Sequence, residues 1–286
     1  MAATEPAVTA EGVLGTVAGL RRYPVKSMLG EDLRACEVTA RGLAGDRVLG
    51  LVHRETGKVA SAKNPRLWRS LLRLAAASGP DVKIAFPDGT AMASTDPGID
   101  AALSAFTGHR VTLAGTPPPA ATLDRADPEQ VLRDGVTAQV DAEVLQIGGA
   151  APEGTFFDFA PLHLLTTSAR ARIAELSPRG TVEPQRYRPN VVIETAAPGF
   201  TENDWAGHDL RIGRDLAIRV MARTPRCAIP TLEHGGLPRD VEALRVPAAH
   251  NRVSPLDGLA PQPCAGVYAQ VLRPGRIRVG DVVRLA

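Results

Sequence analysis

The sequence predicts a mainly β protein of β-barrel architecture with a few short helices. Short segments in which apolar and polar residues alternate recur along most of the 286-residue chain, as half-buried strands require. Helical spacing of apolar residues is confined to a few short stretches, and no β-α-β rhythm is present, which argues against a doubly wound sheet. A glycine-rich phosphate loop of the G-x-x-x-x-G-K-[ST] type is also missing from the sequence.

The first half of the chain divides into a polar tail and a series of strands. Residues 1–12 are polar and alanine-rich, and we expect a disordered tail there. Asn64 fits the N-cap of a short helix that Gly79 and Pro80 end, and a second short helix is predicted over residues 96–108. The predicted strands cover residues 13–25, 33–39, 47–53, 82–86, 91–94 and 110–114.

Residues 116–120, with three consecutive prolines, are the clearest break in composition and predict a linker. The predicted division is a tail over 1–12, an N-terminal β-barrel domain over 13–120 and a second β-barrel domain over 121–286. In the second domain, Thr167 or Ser168 is predicted to cap a helix that ends near Leu176. The predicted strands there cover residues 190–195, 209–212, 216–221, 267–272 and 277–285.

The composition predicts an ordinary soluble globular protein of the cytoplasm. Apolar residues make up 44% and charged residues 22% of the chain, and neither a signal peptide nor an apolar stretch of membrane-spanning length is present. The three cysteines are widely spaced and include no C-x-x-C pair, which fits a reducing compartment. A net charge of only +2 argues against nucleic acid as a partner.

Cys227 is the residue that points most directly to chemistry. Pro225 is expected to stop the strand that leads to it, and Pro230 to stiffen the exit. Arg223 and Arg226 place two guanidinium groups near the sulfur, which favours a thiolate. A thiolate attacks electrophiles and binds soft metals. The alternative is that Cys227 is a small buried apolar residue, as free cysteines often are.

Two other uses of Cys227 have little support. A zinc site with His234, His250 and Cys264 matches no compact ligand spacing. A protease-like pairing of Cys227 with His234 lacks a recognisable local signature.

Three further clusters could bind an anion. Residues 23–27 (Tyr-Pro-Val-Lys-Ser) present a lysine and a hydroxyl at a strand end, and Lys26 stands out because only four of the 33 basic residues are lysines. Residues 45–47 (Gly-Asp-Arg) predict a turn before a strand. Residues 186–190 (Arg-Tyr-Arg-Pro-Asn) carry two arginine forks suited to a phosphate. Taken singly, the first cluster is better explained as an exposed hairpin loop and the second as a turn, and the third is equally consistent with a solvated loop.

Together, the order and spacing of these four motifs resemble the MOSC family, named after the C-terminal domain of molybdenum cofactor sulfurase. The Arg-Cys-x-x-Pro-Thr run at 226–231 follows the other three in family order. Residues 204–213, 266–269 and 273–281 resemble the family's later strands. The resemblance covers residues 14–286 and includes the N-terminal β-barrel domain that many members carry.

The resemblance implies a molybdenum cofactor of the molybdopterin type, as in the family's reductases of N-hydroxylated bases, which include the mitochondrial amidoxime-reducing components. Cys227 would be the molybdenum ligand and the catalytic residue. By motif position, the pterin and its phosphate would be bound by Lys26, Ser27, Arg47, Thr167, Ser168, Arg188 and Asn190.

The implied reaction is the two-electron reduction of a small-molecule N–OH compound to the N–H compound and water. No iron–sulfur domain follows the last strand, so we expect a separate electron-donor protein: a flavoprotein, a ferredoxin or a b-type cytochrome. Two alternatives stay open, namely a sulfur carrier or sulfurtransferase with a persulfide on Cys227, and a non-catalytic binding protein. Residues 233–236, where the chain departs from the family pattern, are expected to influence substrate choice.

Overall fold

A computed structural model of the protein describes residues 12–286, so the predicted tail lies almost wholly outside the described residues. The strands are β1 (Val13–Arg22), β2 (Glu31–Leu33), β3 (Ala35–Thr39), β4 (Gly42–Leu43), β5 (Gly50–His53), β6 (Ala75–Ala77), β7 (Lys83–Ala85), β8 (Ala91–Ala93), β9 (Val111–Ala114), β10 (Thr122–Ala126), β11 (Ala142–Gln146), β12 (Leu162–Thr166), β13 (Val191–Glu194), β14 (Asp209–Ile212), β15 (Leu216–Pro225), β16 (Arg252–Val253), β17 (Gln262–Arg273), β18 (Gly275–Arg278) and β19 (Val282–Leu285).

Five short helices accompany these strands in the described part of the chain. They are α1 (Pro65–Trp68), α2 (Ile99–Thr107), α3 (Pro128–Asp134), α4 (Thr167–Leu176) and α5 (Glu242–His250). Single 3₁₀ turns occupy Arg69–Arg73, Pro184–Tyr187, Thr201–Trp205 and Ile229–Thr231. None of the helices in residues 12–286 is long and apolar enough to cross a membrane. The prediction of a mainly β protein with few helices is confirmed.

Seven strands form a closed barrel. They pair in the order β12, β13, β1, β19, β14, β15 and β17, and β17 pairs back with β12. Only β12 and β13 run parallel within this ring. Burial alternates along β15, where Leu216, Ile218 and Val220 are buried and Arg219 is exposed, because successive side chains of a strand point to opposite faces. The inward-facing residues form the largest apolar core of the protein.

The N-terminal part of the chain adds smaller sheets with a core of their own. Strands β5 and β9 pair, β6, β7 and β8 form a second sheet, and both pack around Leu51, Leu71 and Ile84. Strand pairing nevertheless crosses residue 120, since β1 lies between β13 and β19 and β3 pairs with β18. The division into domains at residue 120 stays a prediction.

Several predicted boundaries were wrong. The first strand ends at Arg22, not at Val25, and the third begins at Gly50, not at Arg47, because the intervening residues form the loops of the cavity described below. The first helix stops at Trp68 and gives way to a 3₁₀ turn and β6. The N-cap of α4 is Thr166, whose Oγ1 accepts a hydrogen bond from the amide of Ala169.

Candidate functional site

A cavity of about 340 Å³ lies where the loops after β1, before β5 and after β15 meet the segment between β12 and β13. It brings together residues from all four motifs. Six of the eight predicted site residues line it: Lys26, Ser27, Arg47, Arg188, Asn190 and Cys227. These six are separated by up to 201 positions in the chain (26 to 227), so only the closed fold makes them neighbours.

Cys227 lies two residues past the end of β15, just before the 3₁₀ turn Ile229–Thr231. Its side chain is 7% exposed and packs beside Ala62, Leu72, Ile229 and Leu232. One face of the cysteine therefore belongs to an apolar cluster, and the other contributes to the cavity wall. The sulfur sits where a ligand in the cavity could reach it while bulk water is largely excluded.

A buried hydrogen-bond network joins the Gly-Asp-Arg motif to the Arg-Pro-Asn motif. The Asp46 carboxylate accepts hydrogen bonds from the amide of Tyr23 at 2.6 Å, from the Asn190 side-chain amide at 3.0 Å, and from Arg47. The Asn190 carbonyl oxygen accepts in turn from Arg47 at 3.3 Å and from the His163 amide at 3.2 Å. Asp46 and Asn190 thus orient Arg47 toward the cavity.

Two lysines share one carboxylate in the cavity wall. Lys26 Nζ lies 2.5 Å and Lys63 Nζ 3.1 Å from the carboxylate oxygens of Asp158. Burial lowers the pKa of Lys26 to about 8, although Asp158 opposes this shift. Burial alone would raise the pKa of Asp158, but the two ammonium groups hold it well below its ordinary value. The trio consequently carries one net positive charge at neutral pH.

Arg188 and Arg226 are buried arginines with unused donors. The Arg188 guanidinium stacks 4.2 Å from the Tyr23 ring centroid and donates to the Met28 carbonyl, but its Nη2 has no partner among the described residues. Arg226 donates to the Tyr187 carbonyl, and its Nε is likewise without a partner there. Burial lowers the pKa of Arg188 to about 10. Buried donors without acceptors are costly, and an anion in the cavity would relieve that cost.

The charge of the cavity wall is strongly one-sided. Asp158 is the only carboxylate among its lining residues. The basic lining residues are Lys26, Arg47, Lys63, Arg125, Arg188, Arg223 and Arg226. This balance favours a ligand that carries several negative charges, such as one with a phosphate group.

Three of the cavity residues have left-handed backbone. Ser27, Arg47 and Arg188 have φ angles of +63°, +47° and +57°, and among the described non-glycine residues only Ala120 shares this feature. Such conformations cost energy for residues with a Cβ atom, and they cluster at functional sites. Ser27 is fixed further by its Oγ, which accepts a hydrogen bond from the Ala62 amide at 3.1 Å.

Thr167 and Ser168 do not line the cavity. Thr167 Oγ1 accepts a hydrogen bond from the Thr195 amide, and Ser168 Oγ lies within hydrogen-bond distance of the hydroxyls of Thr166, Thr195 and Thr201. These hydroxyls connect the start of α4 to the loops around it. The structure therefore places both residues in the support of the fold and away from the other predicted site residues.

Several cavity residues were missed in the sequence. Lys63 could have been found from the scarcity of lysine, which singled out Lys26 for the same reason. Asp158 and Tyr268 carry no local signal. His163 lies between the carbonyls of Arg188 and Ala265, and burial lowers its pKa to about 3, so its ring is neutral at pH 7.

Residues 233–236 do not line this cavity. His234 is buried, its Nδ1 lies 2.9 Å from the Leu232 carbonyl, and burial lowers its pKa to about 4. Glu233 instead lines a second cavity of about 390 Å³. The expectation that residues 233–236 influence substrate choice stays a prediction. No group of three or more His, Cys, Asp or Glu side chains in residues 12–286 could hold a metal ion by itself.

Residues 14–112 match the sequence model of the MOSC N-terminal beta barrel domain, and residues 152–284 match that of the MOSC domain. The chain belongs to the family of MOSC-domain proteins that carry both domains.

Among characterised proteins, the human mitochondrial amidoxime-reducing component 1 is 25% identical over 296 aligned positions, which cover 95% of this chain and 83% of that protein. Among solved structures, the YUAD protein from Bacillus subtilis is 12% identical with a TM-score of 0.41, covering 95% of this chain and 94% of that chain. YiiM from Geobacillus stearothermophilus is 15% identical with a TM-score of 0.33, covering 44% of this chain and 54% of that chain.

Proposed function

We propose that this protein is a molybdenum-cofactor-dependent oxidoreductase that reduces N-hydroxylated compounds. One observation carries the proposal: a buried thiol, Cys227, opens into a cavity whose wall has seven basic side chains and one carboxylate. Thiolate sulfur is a ligand for thiophilic metals, and arginine and lysine bind phosphate. The similarity to an amidoxime-reducing component supports the same reading.

The residues present fit a cofactor that combines a thiophilic metal with a phosphate. Cys227 would bind the metal. Arg188 and Arg226, each with an unused buried donor, and Lys26 would bind the anionic end. Arg47 would do the same, in the orientation that Asp46 and Asn190 impose on it.

When bound, the molybdenum cofactor supplies the two-electron chemistry. The overall reaction takes one N–OH compound, two electrons and two protons, and yields the N–H compound and water. The chain's own contribution is to bind and orient the cofactor and the substrate, and to limit water at Cys227 through the apolar cluster behind it.

We propose that a separate redox protein supplies the electrons, and a flavoprotein, a ferredoxin or a b-type cytochrome would serve. We also propose a cytoplasmic setting, because all three cysteines are free and buried, as is usual in reducing compartments.

Metal analysis tests the proposal most directly. We expect protein purified from a host that makes the cofactor to contain near-stoichiometric molybdenum and releasable pterin. Cys227→Ser should lose the molybdenum, whereas Cys36→Ser, at a buried free cysteine outside the cavity, should keep it. The molybdenum-loaded protein should reduce benzamidoxime with an artificial electron donor.

A persulfide carrier would give the opposite result. Metal-free protein with cyanide-releasable sulfur on Cys227 would refute the reductase and establish sulfur transfer in its place.

A further inference from the structure

We propose that substrates of this enzyme carry an apolar body without positive charge, and that this body binds at the mouth of the Cys227 cavity beside Leu256 and Leu259. The inference rests on the proposed function and adds a substrate class and the residues that select it.

Burial divides the cavity into an inner and an outer part. The motif residues Lys26, Arg188, Asn190 and Cys227 are each at most 8% exposed, so they form the inner part. Leu256 and Leu259 also line the cavity but are 38% and 49% exposed. They therefore lie at its mouth, where a ligand would enter.

The apolar character of the mouth is unusual for this protein. Only five large apolar residues are exposed in the described part of the chain, and Leu256 and Leu259 are two of them. Pro255 and the half-buried Leu145 of β11 line the same cavity. Isolated exposed leucines need no explanation, but apolar groups gathered at a cavity entrance mark a binding surface.

The segment that carries the two leucines is tied to the strand that leads to Cys227. The Arg223 amide donates to the Pro255 carbonyl at 3.1 Å, and its guanidinium donates to the Ser254 carbonyl at 3.2 Å. The Leu259 amide donates to the Leu256 carbonyl in a turn. Arg223 precedes Cys227 by only four residues, so these hydrogen bonds fix the position of Leu256 relative to Cys227. A substrate that contacts Leu256 is thereby held at a defined position relative to the sulfur.

The charges of the wall disfavour a cationic substrate. Asp158 is the only lining carboxylate, and both of its oxygens are engaged by Lys26 and Lys63. Arg125 and Arg223, both half-buried, add positive charge to the same wall, and Arg125 is partly balanced by Glu143 at 3.8 Å, which does not line the cavity. A substrate cation would lose water without gaining a counter-charge, whereas a neutral aryl or alkyl group loses nothing and buries apolar area.

Steady-state kinetics with three N-hydroxylated compounds tests the inference. They are benzamidoxime, acetamidoxime and a benzamidoxime with a para trimethylammonium group. We expect the molybdenum-loaded wild type to have its lowest KM for benzamidoxime, and a KM about tenfold or more higher for the other two, since a buried apolar ring contributes more than 1.4 kcal/mol.

Leu256→Asp and Leu259→Asp should reverse this preference. Each removes apolar contact and adds a negative charge, so the KM should rise for benzamidoxime and fall for the cationic analogue, while the molybdenum content should stay that of the wild type. Leu272→Asp is the matched control, because Leu272 is 45% exposed but does not line the cavity. It should behave as wild type.

Failure of this inference and failure of the proposed function give different results. The inference is overturned if the leucine variants have the same KM values as the wild type, or if the wild type prefers the cationic analogue. In both cases the compounds are still reduced, so the proposed reductase function is not affected. Molybdenum-loaded protein that reduces none of the compounds refutes the function. In that case saturation-transfer NMR without reductant still tests the inference, because it detects binding of the benzamidoxime ring to the protein. Saturation transfer to the ring must occur with the wild type and with Leu272→Asp, and it must be lost with Leu256→Asp.

Discussion

Ser27, Arg47 and Arg188 combine a strained backbone with a side chain that lines the cavity. A left-handed conformation costs a residue with a Cβ atom on the order of 1 kcal/mol, and it persists only where other contacts impose it. The carboxylate of Asp46 holds Arg47, and the carbonyl of Met28 holds Arg188. Strain at three residues of one cavity is typical of a preorganised binding site.

Asn190→Asp tests the network that orients Arg47. The new carboxylate would replace an amide that lies 3.0 Å from Asp46 Oδ2, so a hydrogen bond would become a repulsion between two buried carboxylates. We expect a loss of about 3 kcal/mol in the free energy of unfolding at pH 7, measured by urea denaturation, and a smaller loss at pH 4.

The control for this change is Asn64→Asp. Asn64 precedes α1 and makes no side-chain capping hydrogen bond, and an aspartate suits that position. The unfolding free energy of the Asn64→Asp protein should stay within about 0.5 kcal/mol of the wild-type value. Equal losses in both variants would contradict the role assigned to Asn190.

For individual residues, the family motifs predicted that Lys26, Arg47, Arg188, Asn190 and Cys227 belong to one site. In the structure all five line the same cavity. Asp158 and Lys63 could not be predicted in the same way, because they reach the cavity from loops that carry no motif. The resemblance assigned Thr167 and Ser168 to the cofactor. Hydroxyl groups at the start of a helix, however, readily form hydrogen bonds with backbone groups and with neighbouring hydroxyls. In this structure Thr167 and Ser168 form hydrogen bonds of that kind at the start of α4.

Buried hydrogen bonds tie α4, β12 and β17 together around Glu202, in the 3₁₀ turn Thr201–Trp205. The Glu202 carboxylate accepts from Thr166 Oγ1 at 2.5 Å and from the Gly266 amide at 3.1 Å. Burial raises its pKa to about 7, although both hydrogen bonds oppose the shift. The folded state therefore binds this proton more tightly than the unfolded state does.

The consequence is a pH-dependent stability. The contribution of Glu202 is fully present below about pH 4.5, its ordinary pKa, and is lost as the pH rises through 7. Glu202→Gln should remove this dependence, which amounts to about 3 kcal/mol at most, and should flatten the unfolding free energy between pH 5 and 7. Urea titrations at several pH values measure it. Glu233→Gln, at an exposed site, should keep the wild-type slope, and parallel curves for all three proteins would contradict the assignment.

Among the elements that escaped prediction, β12 and α5 did so for identifiable physical reasons. Every residue of β12 is buried, so it lacks the alternation that marks a half-buried strand.

Helix α5 contains Pro247, which normally argues against a helix interior. The carbonyl that proline leaves without a partner is that of Ala243, four residues earlier, and the hydroxyl of Tyr187 donates to it at 2.8 Å. This contact comes from a distant part of the chain, so local sequence could not indicate it.

The closed barrel needs both ends of the chain. Strand β1 fills the place between β13 and β19, and without it both neighbours would expose unpaired edges, which favour aggregation. The separate fragment 121–286 should therefore not fold, even though it contains Cys227 and six of the seven barrel strands. Its amide NMR spectrum should lack dispersion. A well-dispersed spectrum would show that the second predicted domain is independent.

At the scale of the whole molecule, the frequency of short strands predicted the β-barrel class correctly. The pairing of strands was beyond prediction, because alternation identifies a strand but does not name its neighbour. The linker at residues 116–120 suggested two consecutive units, whereas the pairings of β1 and β3 reach across it to β19 and β18.

The pairing of β1 with β19 also sets an order of events during synthesis. Val13 pairs with Arg284 and Thr16 with Val282, so β1 can complete its place in the barrel only once β19 has been synthesised. Contacts this far apart in the chain form late. The barrel that supports Cys227 consequently closes only after β19 has been synthesised, and a ligand that needs the finished cavity can bind only from that point on.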